Sequence, residues 1–135
     1  MCYPCAMQMS RHSIEAAVAR TALSYHAGLA AEEAVAARYR ADGGRVRATR
    51  WRCPEGELDL VVELGDEIVF VEVKARRLHA ADAVGARQWA RIGAAASRYL
   101  AEMTDGARPC RFDLALVDRS GRTERIENAR SFDGW

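Results

Sequence analysis

Residues 56–74, GELDLVVELGDEIVFVEVK, decide how this chain folds. Two runs, Leu58-Asp59-Leu60-Val61-Val62 and Ile68-Val69-Phe70-Val71-Glu72-Val73, are rich in side chains that suit a pleated, buried surface. Gly65-Asp66 lies between them and favours a tight hairpin turn. A loop centred there pairs residues whose numbers sum to 131, which places Asp59 opposite Glu72 and Glu57 opposite Lys74. Glu72 and Lys74 share that face because strand side chains alternate.

The charges along this hairpin are uneven. Seven acids (Glu55, Glu57, Asp59, Glu63, Asp66, Glu67 and Glu72) fall between Cys53 and Val73 with no basic residue among them. Solvent around the turn accounts for Glu63, Asp66 and Glu67. It does not account for Asp59 and Glu72, which interrupt apolar strands. Carboxylates facing each other across a ladder, with Cβ atoms about 4.5–5.5 Å apart, destabilise the pair. A protonated carboxyl, a clamping Arg or Lys, or a divalent cation offsets that repulsion. Hard oxygen donors with few histidines nearby favour Mg²⁺ or Mn²⁺ over zinc.

Lys74 is the only lysine, against nineteen arginines. Codon usage explains the arginines, and an amine differs from a guanidinium in that it can give up a proton. Beside a metal-binding carboxylate, such an amine can orient a bound water or neutralise developing charge. A buried ion pair of Lys74 with Glu57 or Glu72 explains the same spacing without chemistry. Spacing alone leaves both readings open.

Outward from the hairpin the period changes. Residues 13–42 are alanine-rich, with Ile14, Val18, Tyr25, Leu29, Val35 and Tyr39 at near-helical spacings and Gly43-Gly44 as a stop. Gly28 is expected to divide this stretch, with residues 29–40 forming the firmer helix. Residues 45–52 read as a first strand, ended by Pro54 and Gly56. Residues 81–103 read as a second amphipathic helix, its face marked by Trp89, Ile92, Ala96, Tyr99, Leu100 and Met103. Residues 112–117 form a fourth strand, and the helix before it implies a parallel crossover. The expected fold class is α/β: one domain over residues 13–135, behind a disordered tail of residues 1–12.

The 135 residues carry a net charge of +1, with twenty basic and nineteen acidic side chains, and half are hydrophobic. That is ordinary globular composition. No apolar run approaches the roughly 18–20 residues of a membrane span, and the first residues do not read as a secretory signal. A cytoplasmic protein with reduced cysteines is expected. Cys2-x-x-Cys5 resembles half a zinc site but lacks a second pair, so a tail is the simpler reading. Near-neutral charge argues against general DNA coating but permits a local basic patch. Arg45, Arg47, Arg50 and Arg52, with Trp51 among them, are such a strip; it suits either a nucleic-acid backbone or a charge-guarded edge strand. Asp113 interrupts the fourth strand and is expected to pair with an arginine inside the fold.

GLAAEEAVAARY (28–39), RWRCPEGELDLVV (50–62), IVFVEVKAR (68–76), RQWARIGAAASRYL (87–100), CRFDLALV (110–117) and IENARSF (126–132) resemble, in order, the blocks of the bacterial YraN-like family. That family belongs to the PD-(D/E)xK nuclease superfamily and is similar to archaeal Holliday-junction resolvases. The resemblance covers about residues 25–132 and is specific in GELDL followed by FVEVKAR.

It implies a restriction-endonuclease-like αβββαβ core: a mixed four-stranded sheet flanked by helices. It further implies Mg²⁺ (or Mn²⁺) held by Asp59 and Glu72, by the Val73 carbonyl and by Glu32 on the first helix. Lys74 would act on the attacking water, with Asp59, Glu72 and Glu32 completing the catalytic set. Gln88 stands where the family has a lysine-glutamine pair, with Arg87 in place of the lysine; Arg50 stands where asparagine is common. Arg50, Arg52, Arg76 and Gln88 are the implied nucleic-acid contacts. The implied partner is branched or structured DNA, for which a homodimer would be suited. A non-cleaving DNA-binding or repair-accessory protein that keeps the fold is the alternative.

Overall fold

The computed structural model describes residues 10–75, 84–106 and 108–130, apart from the side chains of residues 20–24. In chain order its elements are α1 (Arg11–Ala41), β1 (Arg45–Cys53), β2 (Gly56–Leu64), β3 (Glu67–Ala75), α2 (Ala86–Met103), β4 (Cys110–Val117) and β5 (Thr123–Arg130). The strands form one sheet in the order β1-β2-β3-β4-β5. Neighbours are antiparallel except β3 and β4, which are parallel because α2 carries the chain back between them. This is the expected α/β, restriction-endonuclease-like arrangement with a fifth strand added. β5 (TERIENAR) has no apolar alternation to announce it. It forms because the open edge of β4 needs hydrogen-bond partners, and its charges suit an exposed border.

Among the described residues, each face of the sheet carries one helix. On one side, Phe70, Phe112, Leu114 and Leu116 pack with Trp89, Ile92, Ala96 and Tyr99 of α2. On the other, Leu60, Val62, Val69, Val71 and Ala115 pack with Ala31, Val35, Ala36 and Tyr39 of α1. The apolar stripe expected on α2 is buried from Trp89 to Tyr99, but Met103 is exposed at the last turn. The helix begins at Ala86, after the expected residue 81; residues 81–83 lie outside the described set.

Helix α1 departs more from expectation. It runs unbroken through Gly28 and starts at Arg11, where the Ser10 hydroxyl caps the Ser13 amide at 3.1 Å. A lone glycine costs a helix about 1 kcal/mol, too little to break one anchored elsewhere. Only the C-terminal third crosses the sheet. Ile14, Val18 and Tyr25 are therefore 46%, 63% and 55% exposed, although their spacing reads as a core face. The helix stops where expected. Gly43 adopts a φ of 89°, and a Cβ on Gly44 would lie 2.9 Å from both the Tyr39 carbonyl and Val62.

Asp113 anchors α1 to the far half of the sheet. Fully buried, its carboxylate accepts hydrogen bonds from the Tyr39 hydroxyl (2.6 Å), Arg111 Nε and Nη2 (3.0 Å each) and the Asn128 amide (3.0 Å). Burial, and then the bond to Asp113, raises the Tyr39 phenol above its ordinary pKa. The register shifts between Phe112 and Leu114 as Asn128, at a φ of 53°, turns its amide to the carboxylate. The expected arginine partner is thus Arg111. Asp113→Ala leaves a guanidinium and a phenol without their acceptor and is expected to cost roughly 3 kcal/mol or more, against about 1 for Tyr39→Phe. Urea unfolding of the two variants at neutral pH measures the difference.

Candidate active site

The hairpin keeps its expected register only part of the way. From Leu64 opposite Glu67 to Leu60 opposite Val71, every pair sums to 131. Hydrogen-bonded pairs alternate along such a ladder, so Leu58 and Val73 are next in turn to exchange bonds. Instead, the Val73 amide donates to Asp59 Oδ2 at 3.0 Å. The carboxylate takes the place of a backbone carbonyl, and the β2–β3 ladder ends. Asp59 and Glu72, expected as a ladder pair, are brought together beyond its end. The expected Glu57–Lys74 pairing does not form either: Glu57 turns to Arg52 on β1, which donates from Nε at 3.0 Å.

A cleft of about 320 Å³ opens where the two strands part, lined by Glu32, Asp59, Glu72, Val73, Lys74 and Gln88 together with Gly56, Glu57, Arg91 and Ile92. Both helices reach it: Glu32 comes from α1, and Gln88, Arg91 and Ile92 from one face of α2. Glu72 is only 5% exposed. Its Oε1 accepts from Gln88 Nε2 at 2.9 Å and faces Lys74 Nζ at 3.4 Å. Burial raises the Glu72 carboxyl pKa well above the usual carboxylate range, and the Asp59 charge raises it further, while Lys74 pulls it down. Asp59 is also raised, mainly by burial, against the lowering effect of the Val73 amide. The two carboxyl groups lie close enough for the Asp59 charge to act directly on Glu72. Two neighbouring acids shielded from water thus disfavour carrying both negative charges at once, and a bound cation would offset that repulsion.

The donors available to such a cation are oxygens alone: the carboxylates of Asp59 and Glu72 and the backbone of Val73 at the cleft wall. That chemistry fits a hard divalent ion. Glu32 is differently placed. It lines the cleft, but its Oε2 accepts from Arg50 Nε at 2.8 Å. Among the described residues, no three His, Cys, Asp or Glu side chains converge as a ready-made cage. Glu32, Asp59, Glu72, Val73, Lys74 and Gln88, all singled out in the sequence, share this one cleft.

The arginine strip is distributed rather than presented as one basic surface. Arg45 pairs with Glu63, Arg47 bonds the Tyr99 hydroxyl (3.0 Å) and the Met103 carbonyl (2.8 Å), and Arg50 and Arg52 hold Glu32 and Glu57. Trp51, partly buried, meets Tyr99 edge-on at 5.2 Å and packs against the α2-side core. Arg76 and Arg77 lie outside the described residues. Arg91 was not singled out in the sequence, although it lies one helical step from Gln88 and that spacing could have found it.

A model of the uncharacterised protein family UPF0102 matches residues 31–117. A UPF0102 protein of Ruegeria pomeroyi is 47% identical over 119 residues, covering 86% of this chain and 97% of its own. The chain belongs to the UPF0102 family. Another UPF0102 protein, from Cereibacter sphaeroides, is 51% identical over 110 residues, 79% of this chain and 94% of that one. One from Gloeobacter violaceus is 50% identical over 97 residues, covering 67% and 77%. UPF0102 is the YraN-like family that the sequence blocks resemble. The stretch matched by the UPF0102 model contains every residue lining the cleft, while the projecting part of α1 before residue 31 and all of β5 lie outside it.

Glu72→Gln replaces an acid whose ionisation burial and the Asp59 charge disfavour, and keeps an acceptor for Gln88. In chelator it is expected to raise thermal stability by roughly 1–3 kcal/mol at neutral pH. Differential scanning calorimetry of the two proteins in EDTA checks this; an unchanged or lower melting temperature counts against the strained acid pair.

Proposed function

We propose that this UPF0102 chain is a metal-dependent nuclease that hydrolyses phosphodiester bonds in structured or branched DNA. The observation carrying the reading is buried Glu72 beside part-buried Asp59, with Lys74 Nζ 3.4 Å from Glu72, at the open end of a split hairpin. In this reading Asp59, Glu72 and the Val73 carbonyl hold Mg²⁺ or Mn²⁺. The bound ion supplies Lewis acidity toward the phosphoryl oxygen and its bound water. Gln88 fixes the Glu72 carboxylate from α2. Lys74 orients the attacking water and balances charge as it builds on the phosphate. One water is consumed: its oxygen bonds to phosphorus, the opposite P–O bond breaks, and the departing oxygen takes up a proton. Among the described residues, no helix is long and apolar enough to cross a membrane.

A second reading, a DNA-binding accessory protein that keeps this fold without cleaving, draws on the hold of Arg50 on Glu32, which withdraws one acid from the ligand set.

Two measurements test the proposal. Mn²⁺ should give a calorimetric binding signal that Asp59→Ala abolishes, and its absence from the parent protein removes the metal reading. With Mg²⁺ or Mn²⁺, the protein should cut at least one of junction, flap and single-stranded DNA. Lys74→Arg should lower that rate on the order of a hundredfold with the fold intact. Binding without product from any of the three substrates favours the accessory role.

A further inference from the structure

Arg50 is held in an unusual way. Its φ is 49°, in the left-handed region that residues other than glycine and asparagine adopt at a cost. It lies in β1 between Thr49, paired with Leu60, and Trp51, paired with Leu58, and so stands across from Asp59. The guanidinium lies against α1. It sits over the Tyr25 ring, 5.1 Å from its centre, and a Cβ on Gly28 would lie 3.6 Å from Nη2. Its Nε donates to Glu32 at 2.8 Å. Tyr25, Gly28 and Glu32 recur at helical spacing, so one strip of α1 forms a cradle for a single cation. Both partners are largely enclosed, the Arg50 side chain 25% exposed and that of Glu32 13%. Backbone strain persists where the surroundings over-determine it, and here they aim one fixed positive charge at an acid of the cleft.

The geometry points to Arg50 as a positioning residue that acts as an internal counter-cation for Glu32 and restricts the cleft to a single divalent ion. This inference rests on the metal-dependent reading of the same cleft. A guanidinium stays charged at any working pH, so Glu32 is neutralised whether or not metal is present. Glu57 is likewise held by Arg52, so the acids of the cleft lining not held by an arginine of β1 are Asp59 and Glu72, which share the lining with Lys74 and Arg91 and offer oxygens for one divalent ion, not two. Without the Arg50 charge, Glu32 becomes a third acid of the lining not held by an arginine of β1 and can complete a second oxygen site.

Arg50→Asn separates the charge from the backbone conformation, because asparagine tolerates a positive φ. Mn²⁺ titration followed by electron paramagnetic resonance is expected to count one ion on the parent chain and two on Arg50→Asn. The double variant Arg50→Asn/Glu32→Gln should return to one. Should Arg50→Asn fail to fold by circular dichroism, Arg50→Gln carries the same expectation, since it removes the charge and keeps the stem. Equal stoichiometry and affinity in parent and variant overturn the role of Arg50 while leaving the metal site standing. Two ions on the parent chain, or a second ion that persists in the double variant, overturn it as well. No Mn²⁺ on the parent chain removes the metal reading itself and this inference with it.

Discussion

The hydrogen bond from the Val73 amide to the Asp59 carboxylate is the constraint on which the cleft depends. A backbone donor inside a sheet must find an acceptor, and in a regular hairpin the opposite strand supplies a carbonyl. Here a side chain supplies it. The amide is satisfied while the two strands part, which leaves a cavity at the end of the ladder instead of a closed edge. The substitution also holds Asp59 next to Glu72. Buried Glu72 and part-buried Asp59 thus sit together near one lysine, and both have pKa values raised mainly by their loss of water. Holding the two acids there costs local stability.

Asp113 shows what the same fold does with an acid that serves structure. It is as buried as a core valine, yet two arginine nitrogens, a phenol and a backbone amide converge on it. Glu72 has Gln88 and Lys74 directed at the same oxygen and a second acid beside it. The contrast separates the two residues by chemistry, although each is one acid inside an apolar strand. Asp113 also governs the site from a distance. Its bond to Tyr39 fixes α1 against the sheet, and Glu32 lies two turns before Tyr39 on that helix. The cleft receives Glu32 because the other end of α1 is tied down.

Much of the hairpin was legible in the chain itself. Gly65-Asp66 and the flanking apolar runs are local signals, and a two-residue turn leaves one register, so the pairs down to Leu60 and Val71 follow from counting. The buried face of α2 follows from period in the same way, as far as Tyr99. Other features were hidden for identifiable reasons. Periodicity marks which residues share a face, but not whether anything lies opposite, so Ile14 and Val18 read as core and are exposed. β5 carries little apolar pattern and is a strand only because β4 offers an edge. The arginines of β1 look like one basic stripe, and each is claimed by an acid, a hydroxyl or a carbonyl from elsewhere in the fold.

By itself, then, the sequence determined the α/β class, the hairpin and its register, and the residues that carry charge into apolar strands. These depend on spacing, and spacing is a property of the covalent chain. The tertiary structure alone decided that the ladder ends at Asp59, that Asp113 collects Tyr39, Arg111 and Asn128 while Glu72 meets Gln88 and Lys74, and that Arg50 holds Glu32. Most of these are choices of partner between residues distant in sequence. Such choices depend on which donors and acceptors the packed helices and strands bring within about 3 Å of one another.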